Sequence, residues 1–250
     1  MLHIIVPMAG AGSRFAVAGY KEPKPLIPVH EVPMIKVVID NLTPTRPHRF
    51  IFICQAEHVA AYGLRERLDA WAPNCEIVEL DGLTEGAACT VYAAKHLIDE
   101  TQPVMIANSD QYVDLDINLY LQTMDEHCAD GLIMTMKADD PKWSYVGFGV
   151  DGFINRVIEK HVISEEATVG IYNFRTGKQL ISAIESMFEK NLRTLGEFYV
   201  APAYNEMIEQ GAKVIHYSVG EEDQGMHGLG IPADLERFLA LPASKQLCAG

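Results

Sequence analysis

The chain has 250 residues, 34 acidic against 20 basic side chains, and a formal net charge of −14. Its 48% hydrophobic and 22% charged residues suit a globular protein and exclude disorder as the main description. The acidic balance argues against nucleic acid or anionic membrane as a bulk partner, because either needs an extended basic surface.

In chain order, Leu2–Val6 is a short apolar run that ends at a glycine-rich turn. Met34, Val37, Val38 and Leu42 fall at helical spacing, and Phe50–Cys54 is solidly apolar and β-rich. Ala60, Ala61, Leu64 and Leu68 keep the helical period; Glu76–Leu80 reads as strand, Ala87–Ile98 as helix and Val104–Ala107 as strand. This β-α-β-α-β-α-β order, with strands apolar throughout, predicts an α/β fold: a Rossmann-like, mixed but mostly parallel sheet flanked by helices. Leu132–Ala138, Val146–Val150, Ile154–Glu159 and Val169–Phe174 then read as strands separated by turns, which predicts an antiparallel portion. Helical patterns near Lys178–Glu189 and Tyr199–Gln210, a strand Lys213–Val219 and a helix Ala233–Leu241 complete the chain.

No linker, repeat or low-complexity tract interrupts it, so a single domain over 1–250 is expected. No stretch approaches the roughly 18 to 20 apolar residues of a membrane span. Leu2–Val6 follows Met1 without the basic segment of a signal peptide. Cys54, Cys75, Cys89, Cys128 and Cys248 are widely spaced and form no CxxC pair, so neither a disulfide framework nor a zinc site is suggested. Apart from Cys89 they read as small buried hydrophobes. A cytoplasmic enzyme is expected.

Ligands of such sheets bind beyond the carboxyl ends of the strands. The first such loop holds Ala9, Gly10, Ala11, Gly12, Ser13 and Arg14. Small residues after a buried strand let backbone N–H groups approach a phosphate chain, and an arginine adds a bidentate cation. The loop is no P-loop, since no Lys-Ser/Thr pair follows, and Phe15 stands where the dinucleotide fingerprint needs its third glycine. Ten residues on, Lys24 sits between Pro23 and Pro25, on a stiff stretch that can carry it to the same phosphates. A tight packing turn and a solvated lysine are the bland alternatives.

GxGxR followed by a KP-containing loop resembles the nucleotidylyltransferases that join a nucleoside triphosphate to a phosphorylated sugar or small alcohol. The resemblance recurs in order along nearly the whole chain. Thr84, Glu85, Gly86 and Ala87 open a segment similar to the family's small-residue loop around base and ribose. Asn108-Ser109-Asp110 follows a strand as the family's metal-binding aspartate does, and Glu159-Lys160 resembles its Glu-Lys pair near the acceptor phosphate. Val169–Phe174, with Gly170 inside it, looks like its GIYxF strand. Gly196-Glu197-Phe198-Tyr199 resembles its acceptor-side segment, and Gly230–Leu235 its closing turn.

The resemblance implies a Mg²⁺-dependent enzyme in which an acceptor phosphate attacks the α-phosphorus of an NTP and pyrophosphate leaves. Arg14 and the Gly10–Ser13 amides would hold the β- and γ-phosphates. Lys24 would stabilise charge at the α-phosphate, Asp110 would ligate Mg²⁺, and Lys160 would hold the acceptor phosphate. Ala9, Thr84–Ala87 and Ser109 fall on the nucleotide side, and Glu159, Gly170, Glu197 and Tyr199 on the acceptor side. About 1–115 would form the NTP-binding part and 116–250 the acceptor-binding part.

One departure stands out. Many members carry a second metal aspartate just before the closing turn, where this chain reads Met226-His227-Gly228-Leu229-Gly230. Asp223 is the candidate substitute, with Glu221 and Glu222 beside it, and His227 could face the acceptor instead. Trp143 and Tyr145 could line an acceptor pocket or pack at the surface, and Trp71 reads as core. CTP is mildly favoured as the nucleotide and surface-glycan or envelope precursor synthesis as the role. Homo-oligomers are possible partners of the chain. A glycosyltransferase using Asp114-Leu115-Asp116 as a DxD pair and a non-catalytic nucleotide sensor are the alternatives.

Overall fold

β1 (Leu2–Pro7) is the hub of the sheet, paired in parallel with two later strands. The structure, a computed structural model, describes residues 1–246. Cys248 lies outside them. After β1 come α1 (Ser13–Val17), a hairpin of β2 (Pro28–Val29) and β3 (Val32–Pro33), and α2 (Met34–Leu42). β4 (His48–Gln55), α3 (Ala56–Tyr62), α4 (Leu64–Trp71), β5 (Glu76–Leu80), α5 (Ala87–Ala93) and β6 (Val104–Ala107) follow. The strands of this half lie in the order β5-β4-β1-β6, all parallel. The order reverses at β1, so a crevice opens beyond the carboxyl ends of β1 and β6.

The later part extends the same sheet. β7 (Gln111–Val113), α6 (Ile117–Glu126), β8 (Gly131–Lys137), β9 (Ser144–Phe148), β10 (Ile154–Glu159) and β11 (Glu166–Phe174) come next. They are followed by α7 (Gly177–Glu189), α8 (Ala203–Glu209), β12 (Val214–Glu222), β13 (Gly225–Gly228), α9 (Pro232–Ala240) and α10 (Pro242–Gln246). β11 runs antiparallel to both β6 and β8, and the order continues β6-β11-β8-β12-β13-β7. The hairpin β9–β10 branches off beside β11. The fold is therefore the expected mixed, mostly parallel α/β sheet flanked by helices.

Period-2 alternation distributes the core. Ile4, Val6, Phe50 and Phe52 face α2, α4 and α6, whereas Ile5, Ile51 and Ile53 face α5, α7 and α8. A third cluster under α1, α2 and α9 contains Phe15, Met34, Leu235 and Phe238.

Several elements differ from the sequence reading. The helical run through Ala60 and Leu68 is two helices, because Gly63 adopts a left-handed φ of 58° between them. The helix expected over Ala87–Ile98 ends at Ala93 and passes into a 3₁₀ turn, Lys95–Leu97. The segment expected to be helical from Tyr199 begins its helix at Ala203, after Pro202. β7, α6 and β13 go beyond the reading, and Asp116 of the formal DxD is spent as the N-cap of α6, accepting from the Asn118 N–H. Cys54 is buried, with its thiol pushed up to about 12 by desolvation. Cys128 corrects the expectation of burial: it is exposed, at a left-handed φ of 46°.

Candidate active site

The loop after β1 rises at the crevice. Gly12 has a φ of 60°, and a Cβ there would meet the Lys24 Cβ at 3.4 Å, so the loop and the lysine segment lean on each other at a glycine. The Gln55 amide at the end of β4 donates to the Ala9 carbonyl at 2.8 Å and fixes the loop's start. Gly10 faces open space, and Arg14 is exposed with no ion-pair partner among the described residues. Lys24 opens a 3₁₀ turn, Lys24–Leu26, whose buried Pro25 and Leu26 anchor it.

From this turn the Lys24 Nζ reaches Asp110 Oδ2 at 2.7 Å. Asp110 follows β6 by a short loop in which Ser109 is buried. The closing turn covers it: the Leu229 N–H donates to the Asp110 carbonyl at 2.8 Å, and a Cβ on Gly230 would lie 2.6 Å from Asp110 Oδ2. Thr84 Oγ1 donates to the Gly86 carbonyl at 2.9 Å and pairs with the Thr90 hydroxyl at 2.6 Å, which sets the loop before α5.

Asn108, two residues before Asp110, lines a cavity of about 240 Å³ together with Trp143, Ser144, Glu159, Gly170 and Tyr199, among others. Gly170 has a φ of 82°, and a Cβ there would strike the Asn108 amide at 2.0 Å. The Ser144 hydroxyl donates to Glu159, whose carboxyl pKa is raised chiefly by burial. Deeper in, the Thr168 and Tyr172 hydroxyls share a hydrogen bond at 2.9 Å. Lys160, at a left-handed φ of 56°, donates to the Tyr199 hydroxyl at 2.7 Å, a bond that raises its pKa. Glu197 is exposed on the neighbouring turn and acts on Lys160 electrostatically, outside the cavity wall.

A profile of the nucleotidyl transferase family matches residues 4–213. The chain belongs to the nucleotidyl transferase family. It is thus a nucleotidyltransferase enzyme, and the family match leaves no support for the glycosyltransferase alternative. Solved structures agree on the fold. A nucleoside-diphosphate-sugar pyrophosphorylase from Vibrio cholerae RC9 is 25% identical with a TM-score of 0.79, over 95% of this chain and 100% of that one. A UDP-glucose pyrophosphorylase complexed with UDP-glucose superposes at a TM-score of 0.75 with 13% identity, over 100% of this chain and 99% of the other.

This nucleotidyltransferase departs from the sequence reading at two site residues. β13 pairs with β7 through Met226↔Val113, His227↔Tyr112 and Gly228↔Gln111, so Asp110 adjoins the Gly228 end of that ladder. Asp223 adjoins the other end, donating its N–H to the Met226 carbonyl at 2.8 Å, and its carboxylate is taken by Arg237 at 2.7 Å. It is not brought to Asp110; the guanidinium on α9 captures it. Glu222 pairs with Lys142 at 2.9 Å. His227 is 3% exposed, its ring clustered with those of Tyr112 and Phe238, and desolvation lowers its pKa. It packs under α9 rather than lining the cavity.

The donor set suits a magnesium ion that arrives with the triphosphate. Mg²⁺ prefers oxygen and is often held by one or two carboxylates plus substrate phosphates. Asp110 offers one carboxylate at the crevice, with only its Oδ2 engaged by Lys24. No group of three or more His, Cys, Asp or Glu fit to hold a metal exists among the described residues.

Residues absent from the reading also line the site. Asn108 was visible only as the neighbour of Asp110. Ser144 carried no signal and Tyr172 entered only as the tyrosine of the GIYxF strand, since their convergence depends on the β9–β10 and β11 registers. Tyr20, His58 and Tyr62 border a smaller hollow of about 170 Å³ behind the Gly10–Gly12 loop. Trp143 does line the larger cavity, whereas Tyr145 is core, its hydroxyl donating to the Asp140 carbonyl at 2.8 Å. A further hollow of about 340 Å³ lies at the other end of the sheet, between the starts of β8 and α7 and the end of α8.

Proposed function

We propose that this nucleotidyltransferase transfers a nucleoside monophosphate from an NTP to a sugar phosphate or another small phosphorylated metabolite. An acceptor phosphate oxygen forms a bond to the α-phosphorus, the α–β bridging P–O bond breaks, and pyrophosphate leaves. Such a transfer needs in-line positioning and charge neutralisation more than a covalent nucleophile. The observation that carries the reading is the Lys24–Asp110 pair at 2.7 Å, joining the loops after β1 and β6, the second of which also carries Asn108 into the wall of a cavity.

In this reading Arg14 and the Gly10–Ser13 amides bind the β- and γ-phosphates, and Lys24 neutralises the α-phosphate. Ala9, Thr84–Ala87 and Ser109 belong to the nucleotide side. Lys160, oriented by Tyr199, takes the acceptor phosphate, while Glu159 and the hydroxyls around it take the acceptor's body. Asp110 would hold Mg²⁺, which supplies charge neutralisation of the triphosphate when bound. CTP as donor rests on likeness of the loop sequences, and an envelope- or glycan-precursor role rests on the same likeness. No helix among the described residues is long and apolar enough to cross a membrane.

The test is pyrophosphate release from the folded protein with Mg²⁺, pairing each NTP with a panel of sugar and alcohol phosphates. Release with one NTP and a defined acceptor is the expected result. Silence across the panel would overturn the reading.

A further inference from the structure

Arg193 lies in the loop between α7 and α8, and nothing above gives it a role. Its guanidinium carbon stands 3.9 Å from the centroid of the Phe198 ring. Its Nη2 donates to Glu85 Oε2 at 2.5 Å, Nη1 to the Gly196 carbonyl at 2.9 Å and Nε to Asn191 Oδ1 at 2.8 Å. Every nitrogen of the fork is thus engaged. The backbone repeats the link: the Phe198 N–H donates to the Glu85 carbonyl at 2.9 Å, and the Ala88 N–H to the Phe198 carbonyl at 3.0 Å.

The loop holds an unfavourable shape to do this. Asn191 and Leu195 have left-handed φ values of 51° and 50°, and Gly196 has one of 87°. The Leu195 side chain is 80% exposed, so no burial of leucine rewards that backbone. What the shape achieves is a tight turn, Thr194 bridged to Glu197, that turns Gly196 and Phe198 toward Arg193. The next residue, Tyr199, holds Lys160. One chain of contacts therefore runs from Glu85 in the nucleotide loop through Arg193 and Phe198 to the acceptor-side lysine.

We infer that Arg193 is a positioning residue that fastens the nucleotide loop, 84–88, to the acceptor loop, 196–201. Both substrates then meet one rigid piece of the protein. An exposed ion pair alone contributes little. A planar fork that also stacks on an aromatic face fixes an orientation, and a lysine cannot reproduce it. The inference rests on the functional reading above and adds a residue that touches neither substrate.

The experiment titrates CTP, UTP, dTTP, ATP and GTP, each with Mg²⁺, into the wild-type protein by calorimetry. The nucleotide that binds is then used with Arg193→Ala, Arg193→Lys, Glu85→Gln and the Arg193→Ala/Glu85→Gln pair. Expected are about tenfold weaker binding for Arg193→Ala, about threefold for Glu85→Gln, and a double variant within about twofold of Arg193→Ala, since coupled partners do not add. Arg193→Lys should recover little. In turnover, KM for nucleotide and for acceptor should rise while kcat stays within about threefold, the signature of lost ground-state and transition-state binding alike. Wild-type protein that binds no nucleotide overturns the functional reading and the fastening role with it. Wild-type protein that binds while the variants keep its affinity within about twofold, or a double variant whose losses add, overturns the fastening role alone. Arg193→Lys keeps the charge and the stem but not the planar fork, so it keeps the test decisive if Arg193→Ala fails to fold: affinity like wild type in that variant overturns the fastening role.

Discussion

Lys24 Nζ rests on Asp110 Oδ2 at 2.7 Å, although the two residues stand 86 positions apart in the chain. Each side chain is only about one-fifth exposed, at 21% and 22%. The pair holds opposite charges where the loops after β1 and β6 meet. A triphosphate would offer Lys24 a new anion and leave Asp110 free to take a cation. Replacing either residue should therefore affect turnover far more than stability. Lys24→Ala and Asp110→Ala are each expected to lower kcat about 10²- to 10³-fold, as for removal of one group that stabilises developing charge. Melting should shift by no more than a partly exposed ion pair contributes, about 1 kcal/mol or less. Near-full kcat in either variant would remove that residue from the site.

Tyr199→Phe tests how Lys160 is aimed. The ring remains, 4.9 Å from Nζ at its centroid, but the hydroxyl that accepts the 2.7 Å hydrogen bond is gone. A lost hydrogen bond to a charged group is worth about 1.5 kcal/mol or more, so KM for the acceptor should rise roughly tenfold. The KM for nucleotide should change little. Steady-state kinetics with acceptor varied at saturating NTP measures it, and an unchanged acceptor KM would contradict the placement of Lys160.

Glu159 makes a pH prediction. Burial raises its carboxyl pKa above the ordinary 4.5, with the Ser144 hydrogen bond and Lys160 opposing. A carboxyl with a raised folded pKa is ionised at a cost at neutral pH. That cost is relieved as pH falls through the folded pKa, and it has gone below the unfolded value. Glu159→Gln removes the charge and keeps an acceptor for Ser144. It should melt higher than wild type at pH 7 to 8, with the gap closing as pH falls toward about 4.5 and gone below it. Acceptor affinity should fall in the same variant. A constant difference in melting temperature across that range would show that burial does not dominate at this carboxyl.

Much of this architecture was legible in the chain. Alternating apolar runs with glycine- and proline-rich loops specify the parallel half, because buried parallel strands are apolar throughout. The Gly10–Arg14 loop, Lys24 and Asp110 could be singled out because they stand in loops that follow strands, and the structure brings Lys24 and Asp110 together. The remainder depends on register, which local pattern does not encode. β7 pairs with β13 across more than a hundred residues, and that pairing places Gly230 on Asp110 and leaves Asp223 with Arg237. His227 was a candidate to face the acceptor, yet its ring packs in a three-ring cluster with Tyr112 and Phe238. Ser144 meets Glu159 only because β9 and β10 pair with those two residues opposite each other. α6 was missed although Ile117, Tyr120, Leu121 and Met124 keep the helical period behind its Asp116 cap, among interleaved polar residues.

Gly86 gives the sharpest steric prediction. Its φ is 128°, and a Cβ there would lie 2.4 Å from the Phe198 carbonyl oxygen and 2.6 Å from the Phe198 nitrogen. Both are backbone atoms, so no side chain can swing away to make room. Yet these atoms also make the hydrogen bonds that join the 84–88 and 196–201 loops, Phe198 N–H to the Glu85 carbonyl and Ala88 N–H to the Phe198 carbonyl. Gly86→Ala must therefore push the two loops apart or strain both. A backbone conformation unfavourable to alanine costs on the order of 1 to 3 kcal/mol, before the clash is counted. The variant should melt several degrees lower and lose affinity for both substrates together. Gly10→Ala is the control, because a Cβ at Gly10 meets nothing within 4 Å and should leave melting unchanged. Binding of nucleotide by calorimetry, with thermal melts of both variants, separates the outcomes. A Gly86→Ala protein that melts and binds like wild type would mean that the two loops are not in contact as described.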